Sequence, residues 1–201
     1  MLDANAPYFL VALPRMDDAN FTRAVILVAH HDESGAFGLV LNKPLKDEEN
    51  HPTQMTAEVK DLAGNTLFIF SEDLFGGGPV GDNSLFALHE EASLGDEETF
   101  LGSDLYLATD PESFQKLLEN DNFKAHRRFF MGFSSWAGGQ LETEIRSGAW
   151  MIVPYDRQFI FESVQKGDEL WAEHFWRKIL LQSGVDPLTL IGQGKSDSGY
   201  N

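Results

Sequence analysis

Apolar residues fall along the chain in short blocks divided by glycine, proline and acidic clusters, a rhythm of strands more than of long helices. YFLVAL (8–13), closed by Pro14, reads as a buried strand, and AVILVAHH and AFGLVLNKP, divided by DESG with Gly35 free to take a positive φ, read as a hairpin. Apolar runs at 67–70 and 85–88 flank a glycine-rich turn. LYLAT, RFFMGF and AWMIVP add strands, and QFIFE adds another beyond the turn-like Tyr155–Arg157. Helical spacing predicts a short helix over 53–64, where Met55, Val59 and Leu62 share a face and Gly64 stands at its end. A second helix starts at the cap Asp110 with Pro111 in its first turn and buries Phe114, Leu117 and Leu118. A third carries Trp171, Phe175 and Ile179 and stops by Gly184 and Pro187. Strands outnumber helices without alternating with them, which predicts an α+β fold with a mostly antiparallel sheet.

Composition turns this into one core. A chain of 201 residues with 42% apolar residues, 16 Phe and 4 Trp is expected to fold as a single domain over 1–191, followed by a polar, glycine-rich tail (192–201) expected to be disordered. The N-terminus lacks a basic segment before its short apolar run, so no secretory signal is expected, and no run approaches the ~18 apolar residues of a membrane span. Zero cysteines exclude thiolate chemistry and a disulfide framework, and fit a cytoplasmic location.

Charge narrows the function classes. Fifteen Lys and Arg stand against 32 Asp and Glu, a net charge of -17, and such a field opposes binding to phosphates, so no direct nucleic-acid contact is expected. The compact basic group KAHRR (Lys124–Arg128) is expected to be a solvated strand flank, and the acidic runs at 46–50 and 95–98 solvated loops. His30 and His31 cannot both ligate one ion from a regular strand, and no HExxH pattern occurs, so neither a metal nor a cofactor is expected.

The most suggestive stretch is GFSSWAGGQLETEI (132–145). Ser134 has Gly132 two residues before it but Trp136 two residues after, where a nucleophile elbow needs glycine, and Ser135 fits worse. The chain order of serine, Asp156 or Asp168, then His174 mimics a hydrolase triad, yet His174 lies within the pattern of the last helix. A helix start could also hold an anion, but Glu142 and Glu144 already compensate that end. Leu141 and Ile145 are placed to pin the helix to the sheet, with Gly138 and Gly139 allowing close approach and Trp136 burying a large area. GGGPV (Gly76–Val80) lacks the Lys and Ser/Thr of a phosphate loop and reads first as a sharp turn. Asn42, ending a strand, is a natural cap for loop backbone.

These blocks, YFLVALPRMDDANFTRAVILVAHHDESGAFGLVLNKPL, GGGPV, GFSSWAGGQLETEI and AWMIVP, resemble in order and spacing the AlgH/YqgE family of bacterial proteins. The resemblance implies a bent or barrel-like, bifurcated sheet surrounded by helices, small residues at both serine positions in relatives, and no established activity. The expectation is a non-enzymatic acidic protein working through contacts with a protein partner, within a regulatory pathway. The rival expectation is a ligand-binding or hydrolytic groove between the two glycine-rich turns, lined by Asn42, Gly76, Gly77, Gly78, Pro79, Ser134, Trp136, Gly139, Gln140 and Glu142. A third, a transcriptional regulator, is opposed by the charge.

Overall fold

The computed structural model describes residues 7–46, 53–60, 66–95, 100–102, 104–163 and 170–192. Its strands are β1 (Tyr8–Ala12), β2 (Val25–Asp32), β3 (Gly35–Val40), β4 (Gln54–Lys60), β5 (Thr66–Gly76), β6 (Val80–His89), β7 (Phe100–Gly102), β8 (Leu105–Ala108), β9 (Arg127–Ala137) and β10 (Trp150–Pro154). Its α-helices are α1 (Pro111–Glu119), α2 (Gln140–Arg146), α3 (Trp171–Gln182) and α4 (Pro187–Gly192). The strands form a curled half-barrel in the order β10-β1-β2-β3-β9-β6-β8-β7, antiparallel at every step. The fold is α+β, as the block pattern predicts.

The sheet forks along β9. Residues 134–137 of β9 pair with β3, whereas 129–131 pair, in parallel, with β5, which in turn carries β4. Because β6 occupies the opposite edge of β9, both branches leave from one side of the same strand. An eleven-residue strand is long enough to serve two partners in succession, and Gly132, at φ 73°, marks the change between them.

β1 is buried along its whole length because core lies on both of its faces. Phe9 and Val11 point into a cluster closed by Trp171, Phe175, Trp176, Ile179 and Leu180 of α3, and Trp176 donates its indole N–H to Ala12 O at 2.7 Å. Tyr8, Leu10 and Ala12 point the other way, towards Trp136, Leu141 and Trp150 beside α2. The third cluster lies under α1, whose Phe114, Leu117 and Leu118 pack on Leu74, Ala87 and Phe129. Asp110 caps this helix by accepting from Ser113 N at 2.9 Å, with Pro111 in the first turn.

Three local expectations are corrected. The segment expected as a helix over 53–64 is strand β4, paired with β5 from Gln54↔Asp73 to Lys60↔Thr66, while Leu62 and Gly64 lie outside the described residues. QFIFE is not a strand: Arg157–Phe159 form a single 3-10 turn capped by Asp156, which buries Phe159 and Ile160 together. Pro187 opens α4 rather than only ending α3. The expected tail lies, beyond Gly192, outside the described residues.

Candidate functional site

The GGGPV and GFSS blocks do meet in space, and they meet main chain against main chain. Gly77 lies in the crotch of the fork. It donates N–H to Met131 O at 2.8 Å, and its carbonyl accepts from Val40 N at 2.9 Å and from Ser134 Oγ at 3.2 Å. A Cβ on Gly77 would stand 2.2 Å from Gly132 O, and one on Gly78 would stand 2.3 Å from the carbonyl of Phe133. Ser134 is fully buried with its hydroxyl donated to Gly77 O, and the two turns touch at this seam. Gly76 sits over Leu45, and Pro79 is exposed.

Asn42 is buried and spends its amide on backbone: Oδ1 accepts from Val25 N at 2.8 Å, and Nδ2 donates to Arg23 O at 2.8 Å and Ala172 O at 2.9 Å. It ties the end of β3 to the start of β2 and to the first turn of α3, far from any reacting geometry.

The start of α2 gathers the other candidates. Gly139 precedes the helix at φ 77°, and a Cβ there would meet nothing within 4 Å, so its glycine is required by backbone angle and not by close approach. The close approach belongs to Gly138, whose Cβ would lie 2.5 Å from Glu33 O. Gln140 accepts from Ala137 N and donates to Glu144 Oε1, while Glu144 Oε2 accepts both indole N–H groups, from Trp136 at 3.0 Å and from Trp150 at 2.8 Å. One carboxylate thus fixes two aromatic anchors of the core beneath α2. We expect Glu144→Ala to cost about 2 kcal/mol by stranding two largely buried indole donors, measured as a shift in urea midpoint.

Glu142 faces a residue that the sequence did not single out for it. With the proton on Nε2, His31 donates to Glu142 Oε1 at 3.2 Å and accepts from the Tyr8 hydroxyl through Nδ1 at 2.8 Å. Glu142 is held below the usual carboxylate range by its own backbone N–H and by His31. Tyr8, only 6% exposed, is pushed up to about 12 by burial and by the charge of Glu142. The relay therefore ends inwards on a phenol held protonated, a geometry that locks β1 and β2 to α2. It also sets a pH signature. Since the folded pKa is raised above the unfolded value near 10, the contribution of Tyr8 to stability is complete below pH 10 and is lost as pH rises towards 12. Urea midpoints between pH 8 and 11.5 should fall more steeply for the wild type than for Tyr8→Phe.

The basic group before β9 is corrected most sharply. Lys124 and His126 are exposed, but Arg127 and Arg128 are 6% and 5% exposed and serve the interior. Arg127 donates to Leu117 O and, at 3.0 Å, to Asn120 O, closing the end of α1. Arg128 donates to Leu41 O at 3.1 Å and to Glu162 O, with its guanidinium 4.5 Å from the centre of the Phe75 ring. His174, the third member of the imagined triad, is exposed on α3. Among the described residues no group of three His, Asp or Glu is placed to hold a metal ion, and no described helix is long and apolar enough to cross a membrane.

A feature absent from the sequence reading is a cleft of about 670 Å³ at the edge of the sheet, bounded by β10, the turn 155–159 and the C-terminal end of α3. Pairing alternates along β10. Leu13 N donates to Ala149 O, which assigns Met151 and Val153 to β1 and turns the N–H and C=O of Trp150 and Ile152 outwards, where no described strand pairs with them.

An α+β half-barrel forked at a glycine seam is the class of protein defined here. Residues 9–187 match the AlgH-like family of proteins, and the chain belongs to it. It is 30% identical over 181 residues to a UPF0301 protein of Stenotrophomonas maltophilia (strain R551-3), covering 90% of each chain. It is 32% identical over 168 residues to UPF0301 protein Shewana3_1200 of Shewanella sp. (strain ANA-3), covering 83% of this chain and 87% of the relative. The fold is similar to the solution structure of the AlgH protein from Pseudomonas aeruginosa, with TM-score 0.65, 24% identity, and coverage of 100% of this chain and 98% of that one. It is also similar to the crystal structure of a protein from Corynebacterium diphtheriae, with TM-score 0.61 and 22% identity over 89% of this chain and 86% of that one.

Proposed function

We propose that this protein is not an enzyme and acts by contacting another protein whose surface is basic, in the cytosol and within a regulatory pathway. The observation that carries the reading is the fate of Ser134: the best candidate nucleophile is sealed inside the fork with its hydroxyl on Gly77 O. The net charge of -17 supports the choice of partner, because a field of that sign steers basic surfaces into encounter and weakens with salt.

Affinity capture from a lysate of the native host tests it at low and at high salt. A specific protein retained at low salt and released at high salt is the expected result, and retention of nothing specific at either salt would overturn the reading. An activated phosphonate probe should leave Ser134 and Ser135 unmodified, and an adduct on either would revive hydrolysis.

A further inference from the structure

We propose that the free edge of β10 is the docking site for that partner, and that it takes an extended segment as an added strand with a lysine or arginine side chain reaching the phenol of Tyr155. The inference rests on the protein-contact reading and names its surface. Three independent observations converge at this place. The first is the edge: the backbone of Trp150 and Ile152 offers donors and acceptors to a strand lying alongside, and the missing N–H of Pro154 ends the ladder there.

The second is an orphan polar atom. Tyr155 lines the cleft, its ring packs 6.0 Å from Phe9, and its buried hydroxyl has no hydrogen-bond partner among the described residues. A buried hydroxyl left in that state has an open acceptor position that a cationic N–H can fill. The third is charge. Glu90, Asp156 and Asp104 all act electrostatically on the Tyr155 hydroxyl against one cation, Arg157, which is itself held by Glu90 through both of its carboxylate oxygens. The C-terminal turn of α3 also meets the cleft, through Ile179, Gln182 and Ser183, and adds the negative end of a helix dipole. A cation is what that corner lacks. The excess of like charge on a second copy of this chain opposes the alternative of β10 pairing with itself.

The test uses the full chain and synthetic nine-residue peptides of alternating valine and threonine carrying one central lysine, with a glutamate-centred peptide as comparison. Binding is followed by fluorescence anisotropy and by amide chemical shifts. We expect the lysine peptide to shift the amides of Trp150, Ile152 and Tyr155, and to bind at least tenfold more tightly than the glutamate peptide. Ile152→Pro, which removes an outward N–H at an edge where proline is tolerated, should abolish the shifts. Tyr155→Phe, which leaves the ring packing in place, should weaken binding at least about tenfold, the loss of one hydrogen bond to a charged group.

Shifts centred elsewhere, equal affinity for the two peptides, or indifference to both substitutions would overturn the proposal. So would a concentration-dependent dimer abolished by Ile152→Pro, or peptide binding that appears only after residues 193–201 are removed, since each assigns the edge to this chain itself. A lysate partner retained equally by wild type and Ile152→Pro would sink the edge and leave the protein-contact reading standing. Peptide binding at β10 with nothing captured from lysate would do the reverse.

Discussion

Replacing Gly77 by alanine is expected to lower the free energy of unfolding by about 3 kcal/mol, at the upper end of what one added methyl does in a packed interior. The new Cβ would stand 2.2 Å from Gly132 O and 3.0 Å from a methyl of Leu39. The leucine could turn aside, but the carbonyl cannot. Gly132 is fixed between Met131, whose carbonyl is bonded to Gly77 N, and Phe133, which pairs with Val80 of β6. Any retreat of Gly77 lengthens its bonds to Met131 and Val40 together, and these are what hold the two branches of the sheet at the fork. Gly184→Ala supplies the contrast. Its Cβ would meet nothing within 4 Å, so only the left-handed angle of 78° resists it, a cost of about 1 kcal/mol. Urea denaturation of both variants, with unchanged slopes, separates crowding from backbone angle, and equal midpoints would refute the crowding argument.

That seam was legible in the sequence because its cause is local in composition: three successive glycines before a proline have few uses other than bringing main chain close to something. The fork is implied only by the family resemblance, which carries a bifurcated sheet, since no property of β9 read alone says that its two halves have different neighbours. The 53–64 segment failed for a narrower reason. Positions 55 and 59 share a face under both a period of 3.6 and a period of 2, and the deciding residue is Ala57, whose small side chain hides the alternation Met55, Ala57, Val59. QFIFE failed in the opposite sense, as an apolar run compatible with a buried strand that is used to plug one end of the core by a single turn.

The polar network beneath α2 shows where reading along a chain stops. Glu142 was singled out for its place at a helix start, yet its partner His31 lies 111 residues away and the next link, Tyr8, a further 23 from His31. The pair of arginines that opens β9 was misread because charge was weighed by its sign and not by its hydrogen-bonding reach. The Arg128 guanidinium is buried on carbonyls, Leu41 O and Glu162 O, that its fork of donors can reach. The cleft beside β10 has no signal in the sequence, since it exists only between elements joined by tertiary packing.

Arg128→Met should therefore destabilise the protein by about 3–4 kcal/mol, because it removes the donors to the buried carbonyl of Leu41 and the half-buried carbonyl of Glu162. Leu41 O and Glu162 O would both lose the bond they receive, and Phe75 would lose the cation above its ring. Burial pushes the Arg128 guanidinium down to about 9, against the pull of Glu162 and Asp73, which still leaves it protonated at neutral pH. The protein thus carries a desolvated cation whose removal brings some relief, and the predicted loss is what remains after that relief. Arg128→Lys discriminates between charge and geometry. An ammonium keeps the charge near Phe75 but reaches the two carbonyls from a single point, so it should recover no more than half of the lost stability. A solvated flanking arginine would give changes within about 0.5 kcal/mol for both variants. If the urea midpoints of Arg128→Met and wild type coincide, the guanidinium is not a structural pin, and the join it makes between β9, the end of β3 and residue 162 must be held by packing alone.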